Sequence, residues 1–197
     1  SQLKLGPDLK SPSDIDPAAP PVWFDLFKPT IEEDRLVETC IGVSIPTAEE
    51  MQEIEVSARL YQEDGAEFMT ITAVTQLDTD EPVTTPISFV LKGNTLVTVR
   101  YAEPKAFANF TARVQKPNAV PCATGEQVMM GLIEALFDRM ADALERVGID
   151  IDSISRTIFR KKPGAKAANS TKDLQTTIER IGKDGDLLTM IRERLVS

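Results

Sequence analysis

The sequence predicts an α/β (α+β) fold, a mixed sheet flanked by helices, followed by a helical arm. Three observations predict it. Strand-like and helix-like runs mix through about residue 117, after which only helical periodicity remains. Two tight-turn dipeptides, Asp64-Gly65 and Gly93-Asn94, each separate two runs of strand character. Three capping boxes, Thr30 with Glu33, Thr47 with Glu50 and Thr124 with Gln127, mark helix starts.

The elements follow in order. Residues 1–21 are rich in Pro, Asp and Ser and read as a leader. Val22–Phe27 is a short apolar run, hence a strand. Thr30 opens a helix towards Cys40, and Thr47 opens a short one to about Ile54. Val56–Gln62 and Glu67–Val74 form the first hairpin; Met69, Ile71 and Ala73 alternate with Thr70 and Thr72, as a sheet with one more polar face requires. Asp78–Pro86 reads as a polar link, and Ile87–Leu91 with Leu96–Tyr101 as the second hairpin. Pro104 starts a helix with Phe107, Phe110 and Val114 on one side. The longest helix runs from Glu126 to about Val147, striped by Met129, Ile133, Leu136, Met140 and Leu144. Gly148 is expected to interrupt it before a further helix with Ile151, Ile154 and Ile158. Arg160-Lys161-Lys162-Pro163-Gly164 is a break. Helical signal returns over Lys172–Ile181, a turn is expected between Gly182 and Gly185, and Leu187, Leu188, Ile191 and Leu195 stripe a last helix. That helix has no stop signal before Ser197, so its pattern is expected to continue. The expected division is 1–21, 22–117, 118–183 and 184–197.

Composition narrows the function. Apolar residues make up 42% of 197, enough for a packed core, and no apolar run approaches the roughly 18 residues that span a bilayer. The net charge of −9 is uneven: residues 1–147 carry 24 acidic and 12 basic side chains, while 148–197 carry 7 and 10 and are net basic. An acidic surface repels nucleic acid, so no nucleic-acid partner is expected, and it concentrates cations. The chain has no His, which removes most zinc sites and every Ser-His-Asp or Cys-His mechanism. With no phosphate-cradling glycine loop and no nucleophile elbow, no enzyme is expected. Cys40 and Cys122 read as free thiols. Asp78, Asp80 and Glu81 form an acidic loop without the Gly and terminal Glu of an EF-hand. Asp138, Asp142 and Glu145 share one helix face, read as solvated.

Several segments, in order, resemble one family. Trp23-Phe24-Asp25-Leu26 with Pro29-Thr30 and Glu32-Glu33 looks like the opening of the CorA-type divalent cation transporters. Glu53–Val74 resembles the family's helix, Arg and hairpin passage. Ile87–Leu91 followed by Gly93–Arg100 resembles its paired strands, and Leu132–Asp138 its long-helix motif. The resemblance covers about residues 22–197; the family's Gly-Met-Asn signature would lie beyond Ser197. It implies a mixed parallel/antiparallel sheet, two antiparallel arm helices, and a stalk helix whose start would be Asp186–Ser197. It also implies the cytoplasmic domain of a homopentameric transporter in a bacterial inner membrane, carrying Mg2+, with Co2+ and Ni2+ as further candidates. In that family the domain senses cations: weakly held regulatory Mg2+ between subunits cancels the repulsion of facing carboxylates. On the long helix the matching position is Glu134. On the short helix the family's acidic pair is not cleanly reproduced, Met51 standing where a second carboxylate is expected, so Glu50 is the expected ligand there, with Glu49 and Glu53 as substitutes. The other readings are a ZntB-like zinc transporter domain and a soluble oligomeric scaffold.

Overall fold

The computed structural model describes residues 21–53, 55, 59–79, 81–116, 122–159 and 170–196. The expectations for residues 1–20, 56–58, Asp80, the break at 160–164 and Ser197 lie outside these. The chain divides into two units. One holds the residues up to Thr75 with Thr84–Phe137, the other Gln76–Val83 with Asp138–Ser197.

The first unit is built on a five-stranded sheet. Its strands are β1 (Trp23–Phe27), β2 (Leu60–Glu63), β3 (Ala66–Thr75), β4 (Val83–Lys92) and β5 (Thr95–Arg100), in the order β1-β5-β4-β3-β2. β1 pairs parallel with β5, from Trp23↔Leu96 to Phe27↔Arg100. β4 pairs antiparallel with β5 across Gly93-Asn94, and β2 with β3 across Asp64-Gly65. Both predicted turns form, because each tight reversal needs a positive φ: 49° at Asp64, 71° at Gly65 and 56° at Gly93. The sheet is therefore mixed, as expected.

Of the expected strand 56–62, the described part of β2 starts at Leu60; Arg59 before it is helical, and its Nε donates to the Glu53 carbonyl at 3.1 Å. One strand boundary differs from expectation. β4 starts at Val83, inside the expected link. Its pairing with β5 begins only at Ile87, so the missing N–H of Pro86 deletes no bond on that side.

Both faces of the sheet are covered. Leu96, Val97, Thr98 and Val99 of β5 are at most 1% exposed, and such a strand reads as a nearly continuous apolar run. On one face Ile87, Phe89 and Leu96 pack with Phe107, Phe110, Val128 and Leu132. On the other, Val90, Val97 and Val99 pack with Phe24, Val37, Val43 and Met51. The alternation Ile87/Phe89 against Val90 is the period-2 pattern of a strand buried from both sides.

The helices start where the capping residues say. In α1 (Ile31–Ile41), Thr30 Oγ1 accepts from the Glu33 N–H at 3.3 Å and Glu33 Oε2 accepts from the Thr30 N–H at 2.7 Å. Gly42 closes α1 at φ 73° and donates to the Glu38 carbonyl. α2 spans Lys105–Val114. α3 spans Gly125–Phe159, capped by Thr124 Oγ1 on the Gln127 N–H at 3.2 Å. Gly131 of α3 meets the Phe110 ring: a Cβ there would stand 2.4 Å from Phe110 Cε2.

α3 does not break at Gly148, and α4 (Ser170–Val196) does not turn at Gly182–Gly185. None of the three glycines has a positive φ. A Gly costs a helix interior about 1 kcal/mol, less than ending and renucleating it. Buried Ala143, Val147 and Ile154 carry the inward stripe of α3 past Gly148. The expected separate helix from Asp186 is the C-terminal part of α4.

The Trp23-Phe24-Asp25-Leu26 segment owes its residues to β5. Trp23 Nε1 donates to Thr98 Oγ1 at 2.9 Å, and that hydroxyl donates to Asp25 Oδ1 at 2.9 Å. Arg100 grips the same carboxylate with two bonds, Nε at 2.9 Å and Nη2 at 2.8 Å. Its guanidinium lies between the Phe27 and Phe107 rings, 4.5 Å and 4.8 Å from their centroids.

Candidate functional site

The four expected carboxylates sit in two places. Glu49, Glu50 and Glu53 lie at a single 3-10 turn, Glu50–Gln52, shorter than the helix expected to reach Ile54. Thr47 caps it: Glu50 Oε2 accepts from the Thr47 N–H at 2.8 Å and from its hydroxyl at 2.9 Å. The Glu50 carboxylate thus already serves the turn, though its side chain is exposed. Glu49 and Glu53 are exposed as well, on either side of buried Met51.

Glu134, on α3, is 65% exposed and pairs with Arg113 of α2 at 3.2 Å. Arg113 also reaches the Gly131 carbonyl at 3.4 Å and lies over the Phe110 ring. An exposed pair of this kind contributes at most about 1 kcal/mol, so a stronger partner could displace it. Among the described residues, no group of three or more Asp, Glu, Cys or His side chains could hold a metal ion. The four carboxylates therefore form no closed cage within one chain.

Sequence reasoning missed a fifth carboxylate. Asp34, in the first turn of α1, has one oxygen shut off from water without a hydrogen-bond partner. Burial raises its pKa above the ordinary value, and Glu38 and Glu33 raise it further. Burial also raises the Tyr101 pKa, with added push from Asp34 and Glu49. The influence of both on one phenol places acids of α1 and of the 3-10 turn around Tyr101. The signal was present in the sequence, since Asp34 and Glu38 are like charges four apart on a helix.

Asp184 on α4 also has one oxygen shut off from water without a hydrogen-bond partner, and burial, with Asp150 beside it, raises its pKa. Several other acidic groups have cationic partners or stay solvated. Asp78 takes two arginines, Arg139 at 2.8 Å and Arg146 at 2.6 Å, so the acidic loop is neutralised there. Asp142 pairs with Arg139 at 3.4 Å, while Asp138 and Glu145 are exposed. Neither cysteine is in a disulfide; burial pushes each thiol up, and Arg113 pulls Cys122 partly back. A raised thiol is a poor nucleophile and a poor metal ligand at neutral pH. Among the described residues no helix is long and apolar enough to cross a membrane.

Comparison with known proteins agrees with this architecture. The family model described as "CorA-like Mg2+ transporter protein" matches residues 19–195. The magnesium transport protein CorA of Pectobacterium atrosepticum is 28% identical over 152 residues, 77% of this chain and 48% of that protein. The CorA of Escherichia coli K12 is 25% identical over 176 residues, 89% of this chain and 55% of that protein. The chain spans about half the length of these relatives. Among solved structures, the soluble domain of CorA from Methanocaldococcus jannaschii superposes with a TM-score of 0.58 at 14% identity, covering 88% of this chain and 87% of that one. The full-length CmaX protein gives 0.57 at 12% identity, over 88% of this chain and 64% of that one. At such identities the likeness is one of fold.

Proposed function

The chain belongs to the CorA-like Mg2+ transporter family, and from that premise we propose that it is the cation-sensing cytoplasmic domain of a divalent metal ion transporter. The observation that carries this reading is the family match over residues 19–195, joined to a fold shared with a CorA soluble domain. The proposed cargo is Mg2+, with Co2+ and Ni2+ as further candidates. The proposed assembly is a homopentamer in a bacterial inner membrane. Exposed Met130, Phe137, Leu144, Ile151 and Ile158 recur every seven residues along α3 and support burial of that face in an assembly. The domain itself carries out no catalysis in this reading.

Sensing would work through repulsion. Glu49, Glu50, Glu53 and Glu134 are exposed, and one chain gathers no full ligand set from them. A Mg2+ ion keeps most of its water and needs only one or two carboxylates from each side. Ions shared between subunits would cancel the repulsion of facing acids and hold the subunits together; cation loss would free them. Local partners tune the affinity: Thr47 holds one oxygen of Glu50, and Arg113, a cation, offsets the charge of Glu134.

Native mass spectrometry of the full-length protein, titrated with Mg2+, tests this. The Glu50→Ala/Glu134→Ala double variant is expected to need several-fold more Mg2+ to hold its oligomer. Arg113→Ala, which frees Glu134, is expected to need less. An unchanged Mg2+ midpoint in both variants would refute the assignment of these carboxylates.

A further inference from the structure

Asp78 binds the segment after β3 to helix α3. Arg139 Nη2 donates to both of its carboxylate oxygens at 2.8 Å, and Arg146 Nη1 donates to Oδ1 at 2.6 Å. Arg146 Nη2 adds a 2.8 Å bond to the Leu77 carbonyl. Two guanidinium groups, two helical turns apart, thus converge on one carboxylate and the carbonyl beside it. Arg139 and Asp78 are 18% and 30% exposed, and Leu77 is buried, so the contact is partly sheltered from water.

Two independent features mark the same point. Gln76 adopts φ 56°, a left-handed conformation that disfavours a residue with a Cβ. Its carbonyl accepts from both the N–H and the hydroxyl of Thr79, at 2.9 Å and 2.8 Å, which closes a turn directly after β3. The chain also divides here: Thr75 ends β3 in the sheet unit, and Gln76 belongs with Asp138–Ser197. Gln76–Thr79 is therefore continuous with a strand yet bonded to the arm.

We propose that Asp78 is a coupling clamp: it makes Gln76–Thr79 move with α3, so that displacement of the arm is delivered to the end of β3 through the Thr75–Gln76 peptide. Without the clamp, the segment is held by its two flanking strands, β3 before it and β4 from Val83 after it, and by buried Leu77. With it, the segment is also fixed to α3, and the left-handed φ of Gln76 sits between that bond and β3. Arg139 also touches Asp142 at 3.4 Å, so the clamp has a competing carboxylate on the helix itself. The role is conformational and goes beyond cation sensing.

Amide exchange by mass spectrometry on the whole chain tests it. Ile154 is buried on α3, about two turns past Arg146, and touches no clamp residue by charge. Ile154→Val, with the larger truncation Ile154→Ala alongside, loosens the arm. The expected result is that residues 76–79 exchange faster in step with 139–147, while β5 stays unchanged. In Asp78→Asn, residues 76–79 are expected to exchange roughly tenfold faster and to ignore the Ile154 substitutions. If 76–79 keep their rate while 139–147 accelerate, the flanking strands and the packing of Leu77 hold the segment and the clamp is refuted. An unchanged rate in Asp78→Asn refutes it equally.

Discussion

Replacing Asp25 with Ala removes the acceptor on which Arg100 and Thr98 converge. Arg100 is almost fully enclosed, at 9% side-chain exposure, and would lose both bonds to the carboxylate while staying between two aromatic rings. Removing one partner of a buried ion pair costs about 3–5 kcal/mol, chiefly because the other charge is left uncompensated. Asp25 is 28% exposed, so water can reach part of the vacated space, and the expected loss is near the lower end, about 3 kcal/mol. With a urea dependence of about 1–3 kcal/mol per molar, the unfolding midpoint should fall by ~1–3 M. Urea titration followed by Trp23 fluorescence reads this, since the indole is bonded into the same network through Thr98. The second substitution sharpens the test. Asp25→Ala/Arg100→Met removes the orphaned charge along with its partner, so it should recover part of the loss. A midpoint drop below about 0.3 M in Asp25→Ala, or a double variant as unstable as the sum of the singles, would refute the reasoning.

Other substitutions test the packing and the charges. Gly131→Ala would place a Cβ against Phe110, an overpacking expected to cost about 1–3 kcal/mol by urea titration. Gly182→Ala meets open space, and α4 is expected to gain about 1 kcal/mol, read as a higher thermal midpoint. Asp34 has its folded pKa raised above the ordinary 3.8. Its ionisation therefore penalises the fold as pH climbs from 3.8 through the raised value, and the penalty persists above it. Asp34→Asn should accordingly raise the thermal midpoint at pH 7, with the gain vanishing below about pH 3.8; a gain that grows in acid would contradict this.

What could be read from the sequence was local chemistry. Thr30 with Glu33 and the Asp64-Gly65 and Gly93-Asn94 turns act within a few residues, and each forms where expected. The parallel pairing of β1 with β5 is not local. What holds it, Asp25 against Thr98 and Arg100, links positions over 70 apart and leaves no pattern in either segment alone. The helix breaks expected at Gly148 and Gly182–Gly185 fail for a related reason. A glycine signals a break only when nothing beyond it continues the helix, and here the buried stripes do continue, through Ile154 and Ile191. At the candidate site, carboxylates could be named but not their partners. Arg113 reaches Glu134 from another helix, and the enclosure of one Asp34 oxygen depends on how α1 packs.

The parallel pair also has a consequence for synthesis. Trp23 and Thr98 bond across 75 positions, so β1 leaves the ribosome long before the strand it must lie beside. At roughly 5–20 residues per second, the first strand waits several seconds for its neighbour. Meanwhile β2 with β3, and then β4 with β5, can close as hairpins within microseconds of emerging. The nascent sheet therefore exposes the open edge of β5 until β1 returns to it, and the Trp-Phe-x-Leu segment of β1 waits unprotected meanwhile. Docking of β1 is the step that long-range topology makes slowest, and the one at which a chaperone would find apolar surface to hold.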